Sequence, residues 1–210
     1  MHIRSKSFDD LQPMPGEFAF GMPGAAGEPC VFAGNRNPHL AWSDVPADTR
    51  SFVLTCVDVD VPSRGDDVNQ AGRSVRADLP RVEFVHWLMI DIPAEFREFG
   101  AGSCGEGVVP RGKREPHGPP GARQGRNDYT GWFANDADMA GDYFGYDGPC
   151  PPWNDERLHH YHFRVHALDV GSLGLAEAFT LADVRRAMQG HVLAEAVIVG
   201  TYSLNAALRR

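Results

Sequence analysis

Two stretches, "SFVLTCVDV" (51–59) and "EFVHWLMIDI" (83–92), constrain this chain more than any other feature. Both are rich in β-branched and aromatic residues, and both are apolar at odd and even positions alike. Successive side chains of a strand point to opposite faces, so a run of this kind must be covered on both sides. That need predicts strands inside a sandwich. "YHFRVHALDV" (161–170) alternates instead, with Tyr161, Phe163, Val165 and Ala167 on one face and His162, Arg164, His166 and Leu168 on the other. "AEAVIVGTYSL" (194–204) and the short "HLAW" (39–42) complete the strand signals.

One helix is clearly written. Thr180 suits an N-cap, Asp183 the first turn and Gly190 an end for "LADVRRAMQ". A shorter helical turn is expected at "AEFREF" (94–99). With 16 prolines and 23 glycines punctuating the strands, the class is mostly β, an antiparallel two-sheet β-sandwich with short peripheral helices. Two long polar segments, 63–81 and 103–148, interrupt it, and loops of that length in a compact domain are usually functional or disordered. The second is expected to be ordered only against the body of the fold. With no repeat and no linker, residues 1–210 read as a single domain.

A net charge of −8, scattered along the chain, leaves no basic face to neutralise nucleic-acid phosphates. No segment approaches the roughly 20 apolar residues that span a bilayer, and the N-terminus lacks a signal-peptide core. The expectation is a cytoplasmic protein. Cys30, Cys56, Cys104 and Cys150 form no CxxC pair, which in that compartment reads as four free thiols.

Three places carry chemistry. In "CVDVDVPS" (56–63), Asp58 and Asp60 stand at i and i+2, so strand parity puts both carboxylates on one side, fit for acid–base work, a divalent cation or a solvated turn. Pro62 follows in a bond that can be cis. His86 lies mid-strand among large apolar residues, where an imidazole needs partners. A carboxylate from a neighbouring strand, such as Asp58, would hold it and favour its protonated form. The third place is "GPCPPWNDERLHHYHFRVHAL" (148–168). His159 and Tyr161 share one face, His160 and His162 the other, so its histidines are not one cluster. His160 and His162 have metal-ligand spacing, but Arg164 shares their face. On the opposite face, His159, Tyr161 and the free amide of Cys150 between prolines make a small cradle rich in donors.

In order, "DVDVPS", "VHW", "GYDGPCPP" and "HHYHFRVHALDV", with "NPHLAWSDVPADTRSFVLTCVD" (37–58) before them, resemble the phosphatidylethanolamine-binding protein family, in its bacterial Raf-kinase-inhibitor-like branch. The resemblance implies a β-sandwich with a small pocket for phosphate or phosphorylated head groups. It implies as pocket residues Asp58, Asp60 and Pro62 (the motif's cis-proline), His86, Cys150 in place of a glycine whose amide faces the anion, and His159 and Tyr161. Val59 replaces the motif's first proline, and His160 an arginine. Segments 64–81 and 131–143 are longer than in compact members and overhang the mouth, and a long C-terminal helix is expected to be missing.

The sequence thus favours a soluble binding protein over an enzyme. Its ligand is a small phosphorylated or carboxylated molecule, bound weakly without Arg or Lys in the shell and more tightly below about pH 6.5 as histidines charge. A kinase or protease partner and a homodimer belong to that reading; a cofactor, nucleic acid and stable membrane insertion do not. Two alternatives remain: a hydrolase using Asp58, His86 and His159, and a cupin-like metalloprotein using His160 and His162.

Overall fold

The computed structural model describes residues 1–209. Its thirteen strands open with β1 (His2–Arg4), β2 (Gln12–Pro13), β3 (Gly21–Met22), β4 (Val31–Phe32) and β5 (Leu40–Ser43). The long strands β6 (Ser51–Pro62) and β7 (Arg81–Pro93) follow, then β8 (Glu98–Phe99), β9 (Gly112–Lys113), β10 (Arg123–Gln124) and β11 (Asp142–Tyr143). The last two are β12 (His159–Leu168) and β13 (Val192–Tyr202); helices α1 (Tyr129–Trp132) and α2 (Leu181–Ala187) are short.

A six-stranded sheet in the order β10-β7-β6-β12-β13-β2 carries the fold, with a three-stranded sheet β1-β5-β8 beside it. The long strands pair antiparallel, but the edge strand β2 joins β13 in parallel. Apolar positions on both faces of β6 and β7 are used as their sequences require. Phe52, Leu54, Cys56, Trp87 and Met89 pack with Trp42, Phe99, Phe163 and Val165 on one face. Val53, Val57, Val85, Leu88 and Ile90 pack with Phe179, Leu181 and Val184 on the other. The second face is therefore sealed by α2 and its approach, not by a sheet.

Helix α2 starts as its sequence dictates. Asp183 Oδ2 accepts from both the Thr180 amide (3.0 Å) and its hydroxyl (2.8 Å), and Gly190 takes a positive φ of 81° beyond the end. The helical turn expected at 94–99 is absent: the Phe96 amide closes a turn on Pro93, and Glu98–Phe99 pairs with β5. Phe99 wins its place in the core by leaving helical geometry, a tertiary gain that outweighs local propensity.

Three register shifts decide where side chains of β6 and β7 point. Cys56 pairs with Trp87 and Val57 with Val85, which leaves His86 as an extra residue on β7. Asp58 pairs with Phe84 and Val61 with Val82, so β6 carries an extra residue between them. Such bulges re-aim side chains and deepen the twist. Strand pairing then runs on to Pro62, opposite Arg81. No peptide bond among the described residues is cis, so the cis-proline expected at Pro62 is overturned. With Val59 in place of the motif's first proline, the bulge supplies the bend inside a continuing strand.

Candidate functional site

A cavity of about 430 Å³ opens where the ends of β6, β7 and β12 meet the loop at 148–152. Asp58, Pro62, His86, Cys150, His159 and Tyr161 all line it. Asp60 does not. The bulge after Asp58 breaks the i, i+2 parity, and Asp60 Oδ2 instead accepts from the His160 amide (3.0 Å) and Nδ1 (2.8 Å), while Oδ1 meets Arg157 Nε at 3.0 Å.

Behind Asp58 and His159 runs a chain of alternating charges. Arg81 donates in two parallel bonds to Asp155, Nη1 to Oδ2 at 2.6 Å and Nη2 to Oδ1 at 3.0 Å. Asp155 Oδ2 accepts from His159 Nε2 at 3.1 Å, and His159 Nδ1 donates to Asp58 Oδ2 at 2.7 Å. Asp58 Oδ1 takes the Asp60 amide at 2.8 Å. Burial works against charge on His159, but the Asp58 charge and the hydrogen bonds to Asp155 and Asp58 outweigh it and raise the ring to about 9. At neutral pH, then, the histidine is an imidazolium with both N–H groups consumed. It has no lone pair with which to accept a proton, and no donor left for an anion, contrary to the role its motif position suggested.

His86 is the opposite case. The Asp58 carboxylate expected to hold it closes on His159, and His86 Nδ1 donates to the backbone carbonyl of Asp147 at 2.7 Å. Since a carbonyl can only accept, Nδ1 carries the hydrogen and Nε2 is left as the free nitrogen. Burial pushes the ring below the ordinary histidine range, and three carboxylates, Asp58 first, only partly offset it. The expected protonated His86 is therefore neutral in the free protein, presenting an acceptor. Its backbone is clamped as well: the Asp147 amide donates to the His86 carbonyl at 3.0 Å. Asp147 is itself held by Asn35 (2.8 Å), Asn127 (2.7 Å) and Lys113 (3.2 Å). Gly148 lets this loop lie against the N-terminal segment, because a Cβ there would come within 2.1 Å of the Phe18 carbonyl.

Tyr161 sits across from Asp58 in the β6–β12 ladder, its ring edge-to-face with His86 at 5.1 Å. Its hydroxyl is fully buried and makes no hydrogen bond of good geometry, although the Asp58 carboxylate is near enough to act on it. Burial, then the Asp58 charge, pushes this phenol well above the usual range, so it remains a donor. The surrounding wall is aromatic: Phe20, Phe32, Phe84, Tyr129, Trp132 and Phe133. Phe32 and Trp132 stand 61% and 54% exposed at the mouth. Both long segments reach the mouth as expected, 64–81 through Arg64, Gly65, Val68 and Asn69, and 131–143 through Trp132 and Phe133. Arg64 corrects the expectation of a shell without arginine. Its side chain is 73% exposed and 3.8 Å from Asp66.

Three of these features went unread in the sequence. Asp155, four residues before His159, is the closest to having been legible, since both lie in the 148–168 stretch. Arg81 and, Phe84 apart, the aromatic wall come from segments with no motif. The other histidines go elsewhere: His160 to Asp60, and His162 to the far face with Arg164 and His166. Among the described residues, no three His, Cys, Asp or Glu side chains gather as metal ligands.

The family model described as phosphatidylethanolamine-binding protein matches residues 4–203. The chain belongs to that family. Its relatives include the UPF0098 protein YbhB of Escherichia coli, 31% identical over 203 residues, covering 97% of this chain and all of that one. A UPF0098 protein of Aquifex aeolicus is 34% identical over 166 residues, 79% of this chain and 73% of its own. Among solved structures, E. coli YbcL, described as a member of the mammalian PEBP family, superposes with a TM-score of 0.68 at 26% identity, covering 96% of this chain and 97% of YbcL. No helix among the described residues is long and apolar enough to cross a membrane.

Proposed function

We propose that this family member is a binding protein whose pocket takes a small ligand with a protonated phosphoryl or carboxyl group on an apolar or aromatic body. One observation carries the reading: the orphaned, fully buried Tyr161 hydroxyl beside a neutral His86 whose Nε2 has no protein partner among the described residues. An unpaired buried donor costs roughly 1–3 kcal/mol, which a ligand oxygen relieves. A neutral Nε2 asks for a donor, so the complementary group is one that both accepts and donates, such as a monoprotonated phosphate. The charges of Arg81, Asp155, His159 and Asp58 sum to zero, so nothing deep in the site attracts a dianion. Arg64 closes over the ligand from the mouth, and the aromatic wall takes its body. His159 serves as a positioning residue for Asp58, and residues 1–210 act as one domain around the pocket.

The test is an NMR titration with inorganic phosphate, O-phosphoethanolamine and phenyl phosphate. His86 ring and Tyr161 signals are expected to move while His159, His160 and His162 stay. Phenyl phosphate is expected to bind tightest. Responses confined to His160 and His162, or none at His86, would sink the assignment.

A further inference from the structure

At the rim of the cavity two thiols face each other. Cys150 lies in the proline-flanked loop and lines the pocket, whereas Cys30 is exposed just before β4. Their sulfurs are 3.7 Å apart, less than twice the ~2.05 Å of a disulfide bond. Gly21 on β3 makes the approach possible. A Cβ at that position would come within 2.6 Å of both sulfurs. Cys56 and Cys104 are buried, and burial pushes both thiols up; Cys150 is also held up, by its contact with Cys30 and then by burial, so the exposed Cys30 is the reactive sulfur and Cys150 the one within its reach.

We propose that Cys30 and Cys150 are an oxidant-responsive pair at the pocket mouth, closed to a disulfide by a hydroperoxide and reopened by a dithiol reductant. Cys30 is the first nucleophile. It is the more accessible sulfur, and the Cys150 S–H donating to it holds it below the ordinary thiol range against the opposing effect of burial. The Cys30 thiolate attacks one peroxide oxygen, so an S–O bond forms as O–O breaks, and the departing hydroxide takes up the thiol's proton as water. The Cys150 sulfur then attacks the resulting sulfenic acid. An S–S bond forms, S–O breaks, and the expelled hydroxide combines with the Cys150 proton as a second water. In sum the two thiols give up two electrons and two protons, and one hydrogen peroxide becomes two waters.

The covalent step stands apart from the ligand reading, but its consequence rests on it. Phe32, two residues after Cys30, belongs to the arm formed by β3 and β4 and lines the pocket. A disulfide pins that arm to the Cys150 loop and fixes one wall of the mouth.

The experiment treats the full chain, under native conditions, with hydrogen peroxide, followed by thiol counting and peptide mass mapping. Expected are a Cys30–Cys150 crosslinked peptide, loss of two thiols, and full recovery with dithiothreitol. Cys150→Ser is expected to yield a Cys30 sulfenic acid that dimedone traps. Gly21→Ala, which wedges between the sulfurs, is expected to slow crosslinking severalfold. Oxidation of Cys30 to sulfinic acid without a crosslink, a disulfide between two chains, or reaction first at Cys56 or Cys104 would each overturn the proposal. Binding of phenyl phosphate to oxidised and reduced protein then reads the gate: equal affinity overturns control of the mouth. Failure of both forms to bind strikes the pocket reading and leaves the crosslink result standing.

Discussion

Two buried histidines, His86 and His159, line the same cavity and differ in charge at neutral pH, the first neutral and the second cationic. His159 lies between two carboxylates and is saturated; His86 donates to a carbonyl and keeps one nitrogen unclaimed. The difference separates the groups that hold the pocket together from those that can answer a ligand. Around His159 every polar group has a partner, and the Arg81–Asp155–His159–Asp58 chain is a structural clamp between the start of β7, the 155 loop and the end of β6. Around His86 and Tyr161 the accounting is left open. Burial is nearly the same in both places, so burial alone does not mark a functional histidine. What marks it is an unmade hydrogen bond.

The largest effect expected from this contrast follows removal of a clamp carboxylate. Asp155→Ala leaves Arg81 and His159 buried with an excess of positive charge, and breaking a buried pair in this way costs about 3–5 kcal/mol. Urea unfolding of the variant at pH 7 measures it, and a change near zero would erase the distinction between the two regions.

Next is the pH profile of stability. The folded value of about 9 for His159 stands above its unfolded value near 6.5, so folding binds a proton there. Its contribution, on the order of 3 kcal/mol, is complete below pH 6.5 and fades as pH rises through 9. His86 has the reverse sign: its folded value is depressed, so its contribution is present above about pH 6.5 and lost as pH falls through the lowered value. Denaturation midpoints from pH 5 to 10 are expected to fall on both sides, and His159→Gln to remove only the alkaline decline. A wild-type curve that is flat from pH 6.5 to 9 would show that the clamp does not hold a proton.

Tyr161→Phe sharpens the comparison from the other side. With no hydrogen bond to lose, the variant is expected to unfold within about 1 kcal/mol of the parent, while phenyl phosphate affinity drops roughly tenfold, about 1.4 kcal/mol. Calorimetry and thermal unfolding together test it; a large stability loss with unchanged binding would reverse the roles assigned. The smallest effect is on the pH dependence of binding. Whether the proton sits on His86 or on the phosphoryl group, the complex holds one more than the free partners at high pH, so phenyl phosphate is expected to bind about fivefold tighter at pH 6 than at pH 7. In His86→Gln that dependence is expected to shrink.

Much of this was written in local pattern. Doubly apolar stretches required strands covered on both faces, Thr180, Asp183 and Gly190 marked a helix, and the parity of 159–162 sent His159 and Tyr161 inward and His160 and His162 outward. Two of the expectations that failed in the site, the shared side of Asp58 and Asp60 and the cis-proline, did so where a bulge intervened. Strand parity put Asp58 and Asp60 on one side, and a single inserted residue in β6 separated them. The same device, with Val59 where a proline was expected, replaced a cis turn by an extended Pro62. Asp58 was expected to charge His86, yet register pairs Asp58 with Phe84 and Tyr161 and leaves its carboxylate to His159.

What the sequence by itself determined, then, is which residues are strands, which faces are buried and which chemical groups are available, because these depend on side chains no more than a few positions apart. Charge state, hydrogen-bond pairing and the meeting of Cys30 with Cys150 across 120 residues were decided only by tertiary structure. A proton's residence depends on the carboxylate or carbonyl that happens to stand 3 Å away, and that neighbour comes from another strand whose register no local pattern records.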